Sequence, residues 1–157
     1  MKLSVAVLLH NVRSAHNVGS VFRTADAAGV SRIFLTGYTP RPQDRFERPQ
    51  KEIAKTALGA ETAIPWEYHA SPAKLIADLK RAGSQIVGVE QDSRSRDYRS
   101  FELTRPTVFV FGNEVRGLSP ELRKQCDLLI EIPMRGTKES LNVSVAAGII
   151  LFQVRSV

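Results

Sequence analysis

Three clusters in this 157-residue chain combine residue types and spacings that can do chemistry. The first is segment 11–23, NVRSAHNVGSVFR, which leaves an apolar stretch and enters a helical pattern. Backbone N–H groups at a helix start attract anions, and Arg13 and Arg23 add charge-assisted hydrogen bonds. Arg23 lies one position after Phe22 and two before Ala25, close to the inward face of the helix. Two readings of it stand: a guanidinium kept for a ligand, or a stem packed on the core with its head in water. His16 has no nearby carboxylate to tune it and reads as a loop or capping residue.

The second cluster is segment 111–119, FGNEVRGLS. Gly112 and Gly117 permit a tight turn and close approach of a ligand to backbone. No Gly-Lys-Ser/Thr follows, so this is no P-loop, and the three spaced glycines of dinucleotide binding are missing from the chain. Glu114 sits where a strand ends, either serving a ligand or capping a neighbouring loop. The third cluster is segment 132–146, IPMRGTKESLNVSVA. Ser140, Asn142 and Ser144 open an apolar helix; one of them caps it, and the others have groups to spare for a ligand.

These clusters are carried by alternating strand-like and helix-like stretches. Leu3 to Leu9 reads as a strand. Asn17 to Ala28 reads as a helix capped by Asn17, with Val21, Phe22, Ala25 and Ala28 at helical spacing and Gly29 ending it. Arg32 to Thr36 is a second strand, and the polar, Pro-containing stretch 37–49 is a surface excursion. A short helix over Glu52 to Leu58 and a weak strand over Thr62 to Tyr68 follow. Ser71-Pro72 and Ser119-Pro120 each start a helix, a capping hydroxyl followed by Pro at the first position. Gln85 to Val89, Val108 to Phe111 and Leu128 to Ile132 read as strands, and Asp92 to Arg99 as a charged loop. The two-sided apolarity of Val108 to Phe111 marks a central parallel strand. Ser140 to Val154 reads as a final apolar helix. This alternation predicts an α/β fold with a mostly parallel sheet, whose ligands sit beyond the carboxyl ends of the strands.

Length fits one domain with a single core. No apolar run is long enough to span a membrane, and the short apolar start reads as a buried strand, not a leader. The single cysteine, Cys126, cannot close an internal disulfide and has no metal-type partners. A reducing cytoplasm is the expected setting. The net charge is +6, and 15 of the 22 Lys and Arg residues are Arg. That balance favours a polyanionic partner; a basic protein kept soluble by its charge is the alternative.

Taken together, Asn11–Gly29, Val108–Leu122 and Ile130–Phe152 resemble, in order and spacing, the SPOUT superfamily, and within it the SpoU/TrmH-type tRNA/rRNA ribose 2′-O-methyltransferases. The ending SLNVSVA makes the ordered trio specific. The resemblance implies helices on both faces of the sheet and a deep C-terminal trefoil knot, a feature otherwise nearly absent from proteins. It implies S-adenosylmethionine held by Val89, Glu90, Gly112, Asn113, Ile132, Met134, Ser140 and Leu141, a homodimer, and no metal. Arg23, Asn17, Glu114 and Asn142 fall on the family's functional positions, with Arg23 nearest the reaction and Asn17 orienting it. Residues 1–157 are expected to be one catalytic domain without an added RNA-binding domain. The substrate is then RNA, tRNA first and rRNA second, contacted by Arg13, Arg23, Arg41, Arg45 and Arg135. Arg94, Arg96 and Arg99 form a second basic surface. With seven Phe, three Tyr and one Trp, backbone and shape contacts should outweigh base stacking. A catalytically idle RNA-binding module of the same fold is the alternative. A Rossmann-type nucleotide enzyme is a third, disfavoured by the missing glycine fingerprint.

Overall fold

The computed structural model describes residues 2–155. Among the described residues, seven strands form one sheet: β1 Val5–His10, β2 Arg32–Thr36, β3 Trp66–His69, β4 Gln85–Val89, β5 Arg96–Asp97, β6 Thr107–Phe111 and β7 Leu128–Glu131. Their order is β3-β2-β1-β6-β4-β7-β5 and every pairing is parallel. β6 is central, as its two-sided apolarity predicts: all five residues, TVFVF, are buried.

Alternating side chains of the strands feed two cores. Val5, Val7, Leu9, Ile33, Leu35, Phe109 and Phe111 pack against α1 (Ala15–Ala27), α2 (Lys51–Ala57), α3 (Ala60–Ala63) and α6 (Val143–Arg155). Ala6, Leu8, Phe34, Ile86, Val108 and Val110 pack against α4 (Pro72–Arg81) and α5 (Pro120–Gln125). Helices therefore cover both faces, which is what strands apolar on both sides require. α1 and α2 approach closely at Gly19, where a methyl group would collide with the Ile53 carbonyl and the Thr56 hydroxyl.

Several boundaries differ from expectation for local reasons. Ser14, not Asn17, caps α1: its side chain accepts the Asn17 N–H at 3.1 Å. The last helix starts at Val143, three residues later than expected, because Asn142 takes the capping role; its Oδ1 accepts the Ser144 N–H at 2.9 Å. Ser140 and Leu141 are thus loop residues. The expected strand over 62–68 begins instead with the helical turn α3, and the charged loop contains the two-residue strand β5. Ser71 and Ser119 cap α4 and α5 as expected, each followed by Pro. In the excursion after β2, Thr39 is buried because its hydroxyl accepts the Val12 N–H (3.2 Å) beside the carbonyls of Leu9 and Thr36.

Among the described residues, no helix is long and apolar enough to cross a membrane. No group of three or more His, Cys, Asp or Glu side chains among them is placed to hold a metal. Burial pushes the Cys126 thiol up to about 11, so it stays protonated, packed close to Gly88.

Candidate functional site

The loops that follow β4, β6 and β7, three adjacent strands, meet around one cavity of about 300 Å³. The volume is at the lower end for small-molecule sites. All eight residues expected to hold a cofactor line it: Val89 and Glu90, Gly112 and Asn113, then Ile132, Met134, Ser140 and Leu141. Phe111, Val143 and Ala146 add apolar surface.

The loop after β6 is built as a closed ring. Asn113 Oδ1 accepts the N–H groups of Val115 and Arg116, both at 2.9 Å, and the Gly117 N–H returns to the Asn113 carbonyl at 2.9 Å. Two glycines make this possible. Gly117 has φ +65° and faces the Glu90 carboxylate, which a Cβ would strike; a Cβ on Gly112 would lie 2.5 Å from the Gly117 carbonyl carbon. Glu90 then ties the ring to β4, accepting the Leu118 N–H at 2.7 Å and the Gln91 N–H at 3.1 Å. The Gln91 amide reaches the third loop, donating to the Ile132 carbonyl at 2.9 Å.

The same ring is fastened to the loop before α1. Glu114 accepts the N–H groups of Arg13 (3.2 Å) and Ser14 (3.4 Å), and Asn113 Nδ2 donates to the Asn11 carbonyl (3.0 Å) and the Tyr38 hydroxyl (2.9 Å). A carboxylate at these free N–H groups of a helix start also complements the helix dipole. At the far end of the site, Asn142 Nδ2 donates to Asn17 Oδ1 at 3.1 Å, joining the starts of α1 and α6. Glu114, Asn17 and Asn142 therefore brace the three clusters against one another.

Arg23 lies elsewhere. It is exposed, not on the inward face, and lines a different surface cavity with His16, Thr24, Lys55, Leu58 and Phe152. No hydrogen bond joins it to Asn17 among the described residues. The two are six positions apart, so they point roughly 120° away from each other around the helix.

The charges of the main cavity run against those of the whole chain. Glu90, Glu114, Glu131 and Glu139 line it with Arg116 as the one cation among the lining residues. The carboxylates of Glu131 and Glu139 have no hydrogen-bond or ion-pair partner among the described residues. This arrangement suits a ligand with positive charge and an apolar body.

The expected RNA contacts are dispersed. Arg13 and Arg135 are exposed, Arg41 lies 4.2 Å over the Tyr68 ring, and Arg45 lies 4.8 Å from the centre of Phe46. The second basic surface is partly cancelled. Arg94 is paired with Asp92 at 3.1 Å, and Arg99 donates to Asp97 at 2.9 Å. Hydrogen bonds from Arg99, and to a lesser degree the charge of Arg135, hold the Asp97 carboxyl down at about 2. Sequence reasoning gave Asn11 no role within the first cluster and missed Tyr38 and Gln91. Asn11 carried a signal, since Asn tolerates the left-handed backbone it adopts at the end of β1 (φ 55°); the other two carried none.

Comparison with known proteins gives a consistent result. The description of the SpoU rRNA Methylase family matches residues 4–152. A curated relative, the 23S rRNA (guanosine-2′-O-)-methyltransferase RlmB of Nitrosomonas europaea, is 38% identical over 150 residues, covering 96% of this chain and 55% of its own. The AdoMet-bound rRNA methyltransferase from Sinorhizobium meliloti superposes with TM-score 0.89 at 36% identity, over 99% of this chain and 57% of that one. The A. aeolicus TrmH/SpoU tRNA modifying enzyme does so with TM-score 0.85 at 32% identity, over 99% and 75%. The chain spans 55% to 59% of the length of such curated relatives.

Proposed function

Because the chain belongs to the SpoU rRNA Methylase family, we propose that it transfers a methyl group from S-adenosylmethionine to a ribose 2′-hydroxyl of RNA. The observation that carries this reading is the single cavity formed by the loops after β4, β6 and β7, with its excess of carboxylates. S-adenosylmethionine carries a flat purine ring and a cationic sulfonium and has a net positive charge, so it fits both the apolar part of the lining and the excess of carboxylates. When bound it supplies an already activated methyl. Glu90, Asn113 and Gly117 keep the loop rigid, while Ile132, Met134 and Leu141 would enclose the ligand's apolar parts.

Arg23 is the group proposed for the RNA side. A guanidinium remains protonated in proteins, so its part is to hold a phosphate and stabilise the developing alkoxide; the 2′-oxygen would gain the methyl as the sulfonium gives it up and leaves as the neutral thioether, and the hydroxyl proton would pass to water. Within one chain it lines a different cavity from the cofactor loops. In a homodimer, Arg23 of one copy would meet the cavity of the other. The exposed Leu58 and Phe152 beside it give such a contact apolar surface. The family's C-terminal trefoil knot is proposed as well. It is supported by the path of the chain, which inserts β7 between β4 and β5 and then returns α6 to α1. Named relatives act on rRNA and on tRNA, so both belong in the test.

Labelled S-adenosylmethionine is incubated with the protein and with tRNA or rRNA fragments, and the product is mapped for ribose methylation. Transfer to ribose is expected, with Arg23→Ala lowering it at least a hundredfold while cofactor binding persists, as removal of one oxyanion-stabilising donor does (about 10²–10³). Label on a base atom would refute the chemistry. RNA binding without transfer would favour the idle module.

A further inference from the structure

Resting on the reading that the substrate is RNA, we infer that the loop 37–49 is a stacking platform for unpaired nucleotides, with Tyr38 taking the base nearest the cofactor cavity. Two aromatic rings of this loop stand in solvent: Tyr38 is 58% exposed and Phe46 62%. Neither belongs to a loose strand of chain. The Tyr38 N–H donates to Asn11 Oδ1 at 3.0 Å, and its hydroxyl accepts from Asn113 Nδ2 at 2.9 Å. Asn113 lines the cavity, so the open ring is fixed at the cavity's rim.

Phe46 is held by Asp44. Its carboxylate accepts the N–H groups of Phe46 (2.8 Å) and Arg48 (3.0 Å) and the Arg48 Nε (2.7 Å). The guanidiniums of Arg45 and Arg48 lie 4.8 and 5.0 Å from the ring centre. Arg41 sits 4.2 Å over Tyr68, whose hydroxyl donates to the carbonyl of Gly37, the residue before Tyr38. Arg48 is neutralised by Asp44, whereas Arg41 and Arg45 have no ion-pair partner among the described residues. The loop thus offers the open Tyr38 ring for a base face, a Phe46 ring flanked by cations, and at Arg41 and Arg45 guanidiniums without an ion-pair partner among the described residues for phosphates, the combination used on single strands.

The chemistry selects the class of nucleotide. In a duplex the base faces are stacked on each other, and a protein ring finds only edges and backbone. On RNA, the exposed rings of Tyr38 and Phe46 can stack only where bases are splayed out. The low number of aromatic residues therefore understates stacking, because two of them stand exposed on one loop that begins at the cavity's rim.

The test is a binding measurement on the full chain with labelled RNA, single-stranded and duplex, of the same sequence. Tyr38→Leu, Tyr38→Phe and Phe46→Leu are compared with the unaltered protein, and circular dichroism confirms that each is folded. Single strands should bind more tightly than duplex. Tyr38→Leu should weaken single-strand affinity about 5- to 150-fold, the span of one lost base–aromatic stack. Tyr38→Phe keeps the ring and its backbone bond to Asn11 and loses only the hydroxyl contact to Asn113, so it should lose much less than Tyr38→Leu, and duplex affinity should not move. Equal losses on both RNAs, no loss on either, or a loss reproduced by Tyr38→Phe would each overturn the inference. So would a Phe46→Leu protein that changes its sedimentation and not its RNA affinity, because the loop would then be a contact between copies. The assay involves no methyl transfer, so failure of ribose methylation is a separate result and bears only on the reaction.

Discussion

At the scale of single residues, the site depends on groups that support backbone more than on groups that reach a ligand. Gly117 is the sharpest case. Its left-handed backbone costs a side-chain-bearing residue about 1–2 kcal/mol, and a Cβ would also drive the Glu90 carboxylate off the Leu118 N–H. Gly117→Ala is therefore expected to lower stability by at least that amount in denaturant unfolding and to weaken S-adenosylmethionine binding in calorimetry. Val115→Ala, two residues away at 91% exposure, is the control for stability alone, since Val115 also lines the cavity, and its unfolding free energy should stay within about 0.5 kcal/mol. Equal behaviour of the two variants would remove the rigid ring from the account.

Elements are joined across the site by charge. Asp92, in the loop between β4 and β5, accepts the Arg94 N–H (2.8 Å) and Nε (3.1 Å) and the Arg123 guanidinium (3.2 Å). Arg123 belongs to α5 and also donates to the Leu118 carbonyl at 2.8 Å, so one pair locks two cavity loops to a helix. Hydrogen bonds from Arg94 first, then Arg123, hold the Asp92 carboxyl well below the usual carboxylate range. A depressed folded-state value means stabilisation that is fully present above the unfolded value of about 4 and is lost as pH falls below it. Unfolding midpoints measured from pH 7 to pH 3 should thus fall on the acid side. Asp97, Asp44 and Asp78 are lowered too, so the readout is the difference between the unaltered protein and Asp92→Asn. That difference should shrink as the pH drops below about 4; a gap that stays constant would show that Asp92 does not act through its charge.

For the whole molecule, a chain of net charge +6 holds an acidic cavity and basic loops. RNA binding should release counterions. With roughly three to five neutralised phosphates on a single strand, affinity falls on the order of 20- to 100-fold between about 50 and 200 mM salt. Titrations at several salt concentrations measure this slope, and a flat line would remove the basic surface from the argument. Binding of S-adenosylmethionine, with a single net charge, should depend on salt far less.

Local features could be read from the residues alone. The order of elements follows from apolar periodicity, and β2 and β4 run over the very residues the pattern marks. The Ser-Pro starts of α4 and α5 follow from caps that lie within a few residues of what they cap. Where neighbours compete for a role, as Ser14 and Asn17 do at α1, or where an element has only two residues, as β5 does, local pattern has too little to average over. Tertiary structure alone decided the rest. The bonds from Asn113 to Asn11 and to Tyr38 join residues 102 and 75 positions apart, and no spacing encodes them. Folding the sheet in the order β6-β4-β7 brings three distant loops to one cavity. Packing of α1 on α2 and α6 leaves Arg23 outside that cavity, since the direction of a side chain is settled by what its helix packs against.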